Sequence, residues 1–218
     1  METFDVYNQF DVVPIKGKDV YVYDEFNNKY LDLYGGHAVI SIGHSEKKYV
    51  KNITKQLQNI GFYSNAVRNP LQDKLSKEIN LQADLDNYKL FMCNSGAEAV
   101  ENALKLSSFI TGKKRIIAFK NSFHGRTSAA VAVTDNKYIN SELNKQHNVN
   151  FIEFNDNTKL EIELDKGDVC AIIFESIQGV GGLDQPDEDF INGLAYYQKK
   201  YKVSIIADEV QSGFCRSG

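Results

Sequence analysis

Five short apolar runs separated by stretches of helical character constrain this chain more than any other feature. They are Leu90–Cys93, Ile116–Phe119, Val149–Phe154, Val169–Phe174 and Val203–Ala207. Runs that stay apolar instead of alternating belong to strands buried on both faces, and strands that alternate with helices belong to a parallel sheet. The sequence therefore predicts an α/β fold from Lys89 onward, preceded by a β-rich start. In that start, Val20–Tyr23 and Tyr30–Tyr34 flank the polar segment Asp24–Lys29 and read as a hairpin. Tyr49, Val50, Ile53, Leu57 and Ile60 recur at helical spacing over Ser45–Ile60, and Leu71, Leu75 and Ile79 do so over Pro70–Leu81. Both helices are expected to be half-buried connectors. The organisation expected is a β-rich segment with its connecting helix over residues 1–60 and the first part of a large α/β domain over 61–218.

Composition removes several functional classes. The formal net charge of -4, with Lys and Arg scattered, leaves no basic footprint for nucleic acid. No apolar run reaches the length of a membrane span, and Met1–Asp5 lacks the basic-then-apolar start of a signal peptide, so a cytoplasmic protein with no membrane partner is expected. The three cysteines, Cys93, Cys170 and Cys215, are widely spaced, and the first two fall in predicted buried strands, where reduced thiols act as small hydrophobes. His37, His44, His124 and His147 show no metal-ligand spacing, so no metal is expected.

The chemistry gathers at the ends of the predicted strands. Asp208 follows Val203–Ala207 and leads into Glu209-Val210-Gln211, an acid delivered where open α/β sheets bind ligands. After the first run, Asn94-Ser95-Gly96-Ala97-Glu98 opens a helix whose apolar face is expected to include Ala97, Val100, Leu104 and Ile110. Ser95 and Glu98 have capping-box spacing, and the amides of Gly96 and Ala97 are placed to hold a phosphate, although an ordinary helix cap without a ligand has the same pattern. After the second run, Ser122-Phe123-His124-Gly125-Arg126-Thr127 packs aromatics, a glycine and a cation into one turn. Phe123 or His124 could stack on a flat ring, and Arg126 could grip a carboxylate. Glu175 then precedes the glycine-rich loop Gln178–Gly182. Neither a dinucleotide fingerprint nor a P-loop is present, which argues against an ATPase reading of Asp208 and Glu209. Ser95, Phe123, Arg126, Glu175, Asp208 and Gln211 together suit pyridoxal 5′-phosphate: a helix start for the phosphate, an aromatic over the ring, and an acid for the ring nitrogen.

At these residues the chain resembles the class III, ornithine-type aminotransferases, most closely the acetylornithine aminotransferases. The matching stretches are Leu33–Val39 with Gly43-His44, Asn94–Glu98, Ser122–Thr127, Glu175–Gly182 and Asp208–Gly213, in family order. The resemblance implies a type I pyridoxal-phosphate transferase fold, with Ser95, Gly96 and Ala97 at the phosphate and Phe123 over the ring. It further implies Asp208 at the pyridine nitrogen, Gln211 near the ring hydroxyl and Arg126 on a substrate carboxylate. The implied reaction moves the terminal amino group of an N-acylornithine, acetylated or succinylated, to 2-oxoglutarate in arginine biosynthesis, in a homodimer.

Two departures qualify the resemblance. Val180 stands where many relatives carry a glutamate that pairs with a later arginine, which leaves the acyl group and the ω-amino substrate open. The family's Schiff-base lysine is expected beyond Gly218, so no catalytic lysine is assigned within the chain and the 218 residues alone are expected to be inactive, as the N-terminal portion of an enzyme. A non-catalytic protein that binds the cofactor or pairs with a homologous subunit is the alternative.

Overall fold

The computed structural model describes Phe4 and residues 8–217; of the Met1–Asp5 start only Phe4 falls among them, and Gly218 lies outside. The chain divides into two compact units, Met1–Lys89 and Leu90–Gly218.

The first unit opens with strands β1 (Pro14–Lys18), β2 (Tyr21–Asp24) and β3 (Lys29–Leu31), antiparallel in the order β1-β2-β3. The predicted hairpin is β2–β3, and β1 adds a third strand that its charged sequence, PIKGK, does not advertise. Asp24 closes the hairpin turn. Its carboxylate accepts from the amides of Phe26 and Asn28 at 3.0 and 2.8 Å and from the Tyr30 hydroxyl at 2.9 Å, which satisfies turn donors that no ladder can reach. A left-handed turn, α1 (Gly35–Ala38), follows, and Asp32 braces it by accepting from the Gly35 amide at 2.7 Å. Helix α2 (Lys47–Asn59) is capped by the Glu46 carboxylate, and α3 (Pro70–Ala83) by Asn69 with Pro70 in the first turn. The expectation that these helices are half-buried needs correction. Neither contains a buried residue, and Tyr49, Val50, Ile53, Leu57, Leu71 and Leu75 are all exposed, because amphipathic spacing creates an apolar face without supplying a surface to cover it.

The second unit consists of α4 (Gly96–Thr111), β4 (Arg115–Phe119), α5 (Ser128–Ala132), β5 (Val149–Ile152), α6 (Asn157–Leu164), β6 (Val169–Glu175), α7 (Glu188–Tyr201) and β7 (Ser204–Asp208). The four strands form one parallel sheet in the order β5-β4-β6-β7. The central strands are buried along their whole length, and alternate residues feed two separate cores. Ile117, Phe119, Ile172 and Phe174 pack with α6 and α7, whereas Ile116, Ala118, Ala171 and Ile173 pack with α4 and α5. This is why the runs read as continuously apolar. Phe190 anchors the first core, with its ring 5.3, 5.4 and 5.7 Å from those of Phe119, Phe154 and Phe174.

Three sequence expectations fail here. Leu90–Cys93 is not a strand: it is exposed and carries no ladder, since an apolar run becomes a strand only where a neighbour takes up its backbone groups. Cys93 is accordingly exposed, while Cys170 is buried. Ile110 lies on the exposed side of α4, where Val100, Leu104 and Ser107 form the buried stripe.

At the amino edge of the sheet Arg115 is buried beside two acids. Its Nη1 donates to Glu163 at 2.8 Å, Nη2 to the Glu163 carbonyl at 2.6 Å, and Nε to Asp168 at 2.7 Å. The hydrogen bond from Lys166, opposed by burial and aided by Arg115, holds the Glu163 carboxyl below the usual carboxylate range; Arg115 does the same for Asp168.

Replacing Phe190 by Ala should lower stability by about 3–5 kcal/mol in urea denaturation, through lost burial and the cavity left behind. Both acids beside Arg115 have folded values below their unfolded ones, so their contribution is present above the unfolded range and is lost as pH falls through the folded values. Arg115→Met should therefore cost about 1–3 kcal/mol at neutral pH by removing its charge-assisted hydrogen bonds, with Lys166 still paired to Glu163, and the deficit against wild type should shrink below about pH 4.

Candidate functional site

All four strands point the same way, so β4, β6 and β7 deliver their following loops to one edge. The register makes Glu175, the last residue of β6, the direct neighbour of Asp208, the last residue of β7. Two buried carboxylates thus stand side by side at the carboxyl edge.

The start of α4 is built as its sequence predicts. Ser95 Oγ accepts from the Glu98 amide at 3.2 Å, and Glu98 reaches back to accept from the Asn94 amide at 2.6 Å, one residue beyond the usual capping-box partner. The Gly96 and Ala97 amides, in the first turn, have no partner within the helix, which is the arrangement that binds anions. Gly96 is required by its neighbour: a Cβ there would lie 2.6 and 2.7 Å from the two methyls of Val210. The loop after β7 therefore packs directly on this helix start.

The turn after β4 joins the same group. Gly125 has φ +129, and a Cβ on it would lie 2.9 Å from the Ala97 side chain. Phe123 is half-buried and His124 fully buried. His124 Nδ1 lies 2.7 Å from Asp208 Oδ2, and its backbone amide donates to Thr134 Oγ1 at 2.8 Å. The His124 imidazole is enclosed and bound to Asp208, whereas Phe123 is only partly buried. Arg126 is exposed on this turn.

Glu175 ties two loops together, accepting from the Phe123 amide at 2.9 Å with one oxygen and from the Gly179 amide at 3.1 Å with the other. Burial pushes its carboxyl up, and the two amides pull it back. Gly179 approaches Gln211 so closely that a Cβ would overlap the Gln211 amide. Ser176 Oγ donates to Glu209 at 2.8 Å, a second link between the loops after β6 and β7. Asp208 Oδ1 accepts from the Val210 amide at 3.0 Å.

Ser95, Gly96 and Ala97 at the start of α4, Phe123 after β4, and Asp208 and Gln211 at the end of β7 thus lie on three segments that interlock with one another and with the loop after β6. Sequence reasoning missed three members. His124 was weighed only as a stacking ring, Val210 lacks a polar signal, and Thr134 is ten residues from the amide it receives.

The model of the family Aminotransferase class-III matches residues 5–218. A [LysW]-aminoadipate semialdehyde/glutamate semialdehyde transaminase of Sulfurisphaera tokodaii is 38% identical over 221 residues, covering 100% of this chain and 56% of that protein. An acetylornithine aminotransferase of Archaeoglobus fulgidus is 37% identical over 213 residues, covering 97% of this chain and 56% of that protein. The ornithine aminotransferase of Toxoplasma gondii, whose structure shows partial occupancy of PLP at its active site, superposes with a TM-score of 0.88 at 25% identity, over 98% of this chain and 52% of that one. The chain therefore spans about half the length of these relatives. With the family model matched over residues 5–218, this protein belongs to the class III aminotransferases.

Proposed function

We propose that this chain supplies the pyridoxal-phosphate cradle of an aminotransferase that takes the terminal amino group of an N-acylornithine, acetylornithine or succinylornithine, and passes it to 2-oxoglutarate. Class III aminotransferases use pyridoxal 5′-phosphate. The observation that carries the reading is the packing of Gly96 on Val210, which sets the helix-start amides beside the loop that begins at Asp208.

The residues fit the cofactor. Gly96 and Ala97 offer amides without intrahelical partners at the positive end of a sixteen-residue helix, and Ser95 orients that end by capping it. Asp208 already accepts two hydrogen bonds, but a carboxylate has about four lone-pair sites, so capacity remains for a ring N–H. Phe123 would cover one ring face, and Gln211, held against Gly179, would meet the ring hydroxyl. When bound, the cofactor supplies an electron sink for the C–H bond next to the transferred nitrogen.

The chain's own residues then bind and orient. Asp208 would keep the ring nitrogen protonated, and Arg126 would receive a substrate carboxylate with its planar fork. Val180 is exposed and has no acceptor, so it cannot neutralise a neighbouring cation, and the reading extends to either acyl group. No lysine of this chain is assigned the Schiff-base role, and turnover is assigned to the whole protein.

Protein expressed from its complete reading frame and loaded with pyridoxal phosphate should form glutamate from 2-oxoglutarate with acetylornithine or succinylornithine. No glutamate from either donor would overturn the substrate reading. Arg126→Ala should raise the KM for the carboxylate substrate by about ten- to hundredfold with a smaller change in kcat, as for loss of one charge-assisted hydrogen bond.

A further inference from the structure

Helix α5 directly follows the turn that carries Phe123 and Arg126, yet it starts without a cap of its own. Thr127 stands at the N-cap and makes no side-chain cap hydrogen bond. The cap comes from another helix, through the carboxylate of Glu101 in α4. We propose that Glu101 is a positioning residue: by holding the start of α5 against α4 it fixes the backbone that carries Arg126, and so sets the reach of Arg126 to a substrate carboxylate. The inference rests on the assignment of Arg126 to that carboxylate.

The contact is specific. Glu101 Oε1 accepts from the Ala129 amide at 2.6 Å and from the Ala130 amide at 3.2 Å, across 28 and 29 residues of chain. These residues lie in the first turn of α5, where amides have no intrahelical partner, and the Val131 amide is the one that bonds back, to the Thr127 carbonyl at 2.7 Å. Ala129 and Ala130 are buried, so without Glu101 two donors would be left unmet in an enclosed position. A helix of five residues has little stability of its own, and the direction in which it leaves the turn depends on what caps it.

The other end of the turn is held separately. Glu175 accepts from the Phe123 amide and Thr134 Oγ1 from the His124 amide, so Glu101 supplies the restraint on the side after Arg126. Between these points Gly125 fits against both helices, with a Cβ placed on it 2.9 Å from the Ala97 side chain and 3.0 Å from that of Ala130. Ala97 and Glu101 are four residues apart and share one face of α4. A single helix face thus holds the chain on both sides of Arg126, one turn from the amides that would hold the phosphate. That arrangement ties the cofactor's phosphate and the substrate's carboxylate to one rigid element, which is how positioning groups fix the alignment of a bound substrate.

The test uses protein from the complete reading frame, loaded with pyridoxal phosphate. It compares kcat/KM for an N-acylornithine with that for the N-acylputrescine of the same acyl group, which is the same amine without its carboxylate. Glu101→Ala should lower the preference for the carboxylate by about tenfold, mostly through the KM of the N-acylornithine, and leave the N-acylputrescine and the affinity for pyridoxal phosphate unchanged. Glu101→Gln, whose amide oxygen can still accept from both backbone amides, should keep most of the preference. Glu101→Asp withdraws the acceptor by one methylene while keeping the charge, and should lower the preference in the same way at less cost to folding. An unchanged preference in Glu101→Ala or Glu101→Asp, or equal losses for both donors, would overturn the proposal. Arg126→Ala separates the two readings: a preference that it abolishes and Glu101→Ala leaves intact removes Glu101 alone, whereas a preference that it leaves intact, or wild-type protein that shows none, removes the assignment of Arg126 and this inference with it.

Discussion

A sheet whose strands all run one way must release every loop of one kind at the same edge, and the rest of this unit follows from that constraint. The order β5-β4-β6-β7 puts the ends of β4, β6 and β7 side by side. Parallel register then makes Glu175 and Asp208 neighbours, although 33 positions separate them in sequence. No loop needs to travel to reach the site.

Two buried carboxylates next to each other would repel in a medium of low polarity, and the fold resolves this by giving them different partners. Glu175 accepts from two backbone amides and works as a staple between loops. Asp208 takes one amide and one imidazole and keeps lone pairs to spare. The opposite edge carries charge too, but Arg115 is there matched by Glu163 and Asp168, so its acids are held ionised by a cation. The amino edge is thus closed electrostatically, and the carboxyl edge is the one with acceptor capacity left.

Glycines make the interlocking possible at the points where loops cross. Gly96 admits Val210, Gly125 admits Ala97, and Gly179 admits Gln211. Each is a place where a β-carbon would push one loop off another. Beyond these crossings lie apolar surfaces of a different kind: the exposed faces of α2 and α3 show that helical spacing alone does not secure burial.

Local physics was legible from the residues. The two central buried strands, the Pro70 and Ser95–Glu98 helix starts, and the acid at the end of β7 all depend on neighbours within a few positions, so composition and spacing carried them, whereas the outer strands β5 and β7 are only partly buried. Leu90–Cys93 had the same local signature as a strand and is not one, because pairing requires a second chain segment that periodicity does not specify. Only the tertiary structure decided that His124 faces Asp208 instead of a ring, that Val210 rests on Gly96, and that Glu175 joins two loops. Those contacts span 84, 114 and 52 residues or fewer, and they follow from strand order and register, which no local pattern encodes.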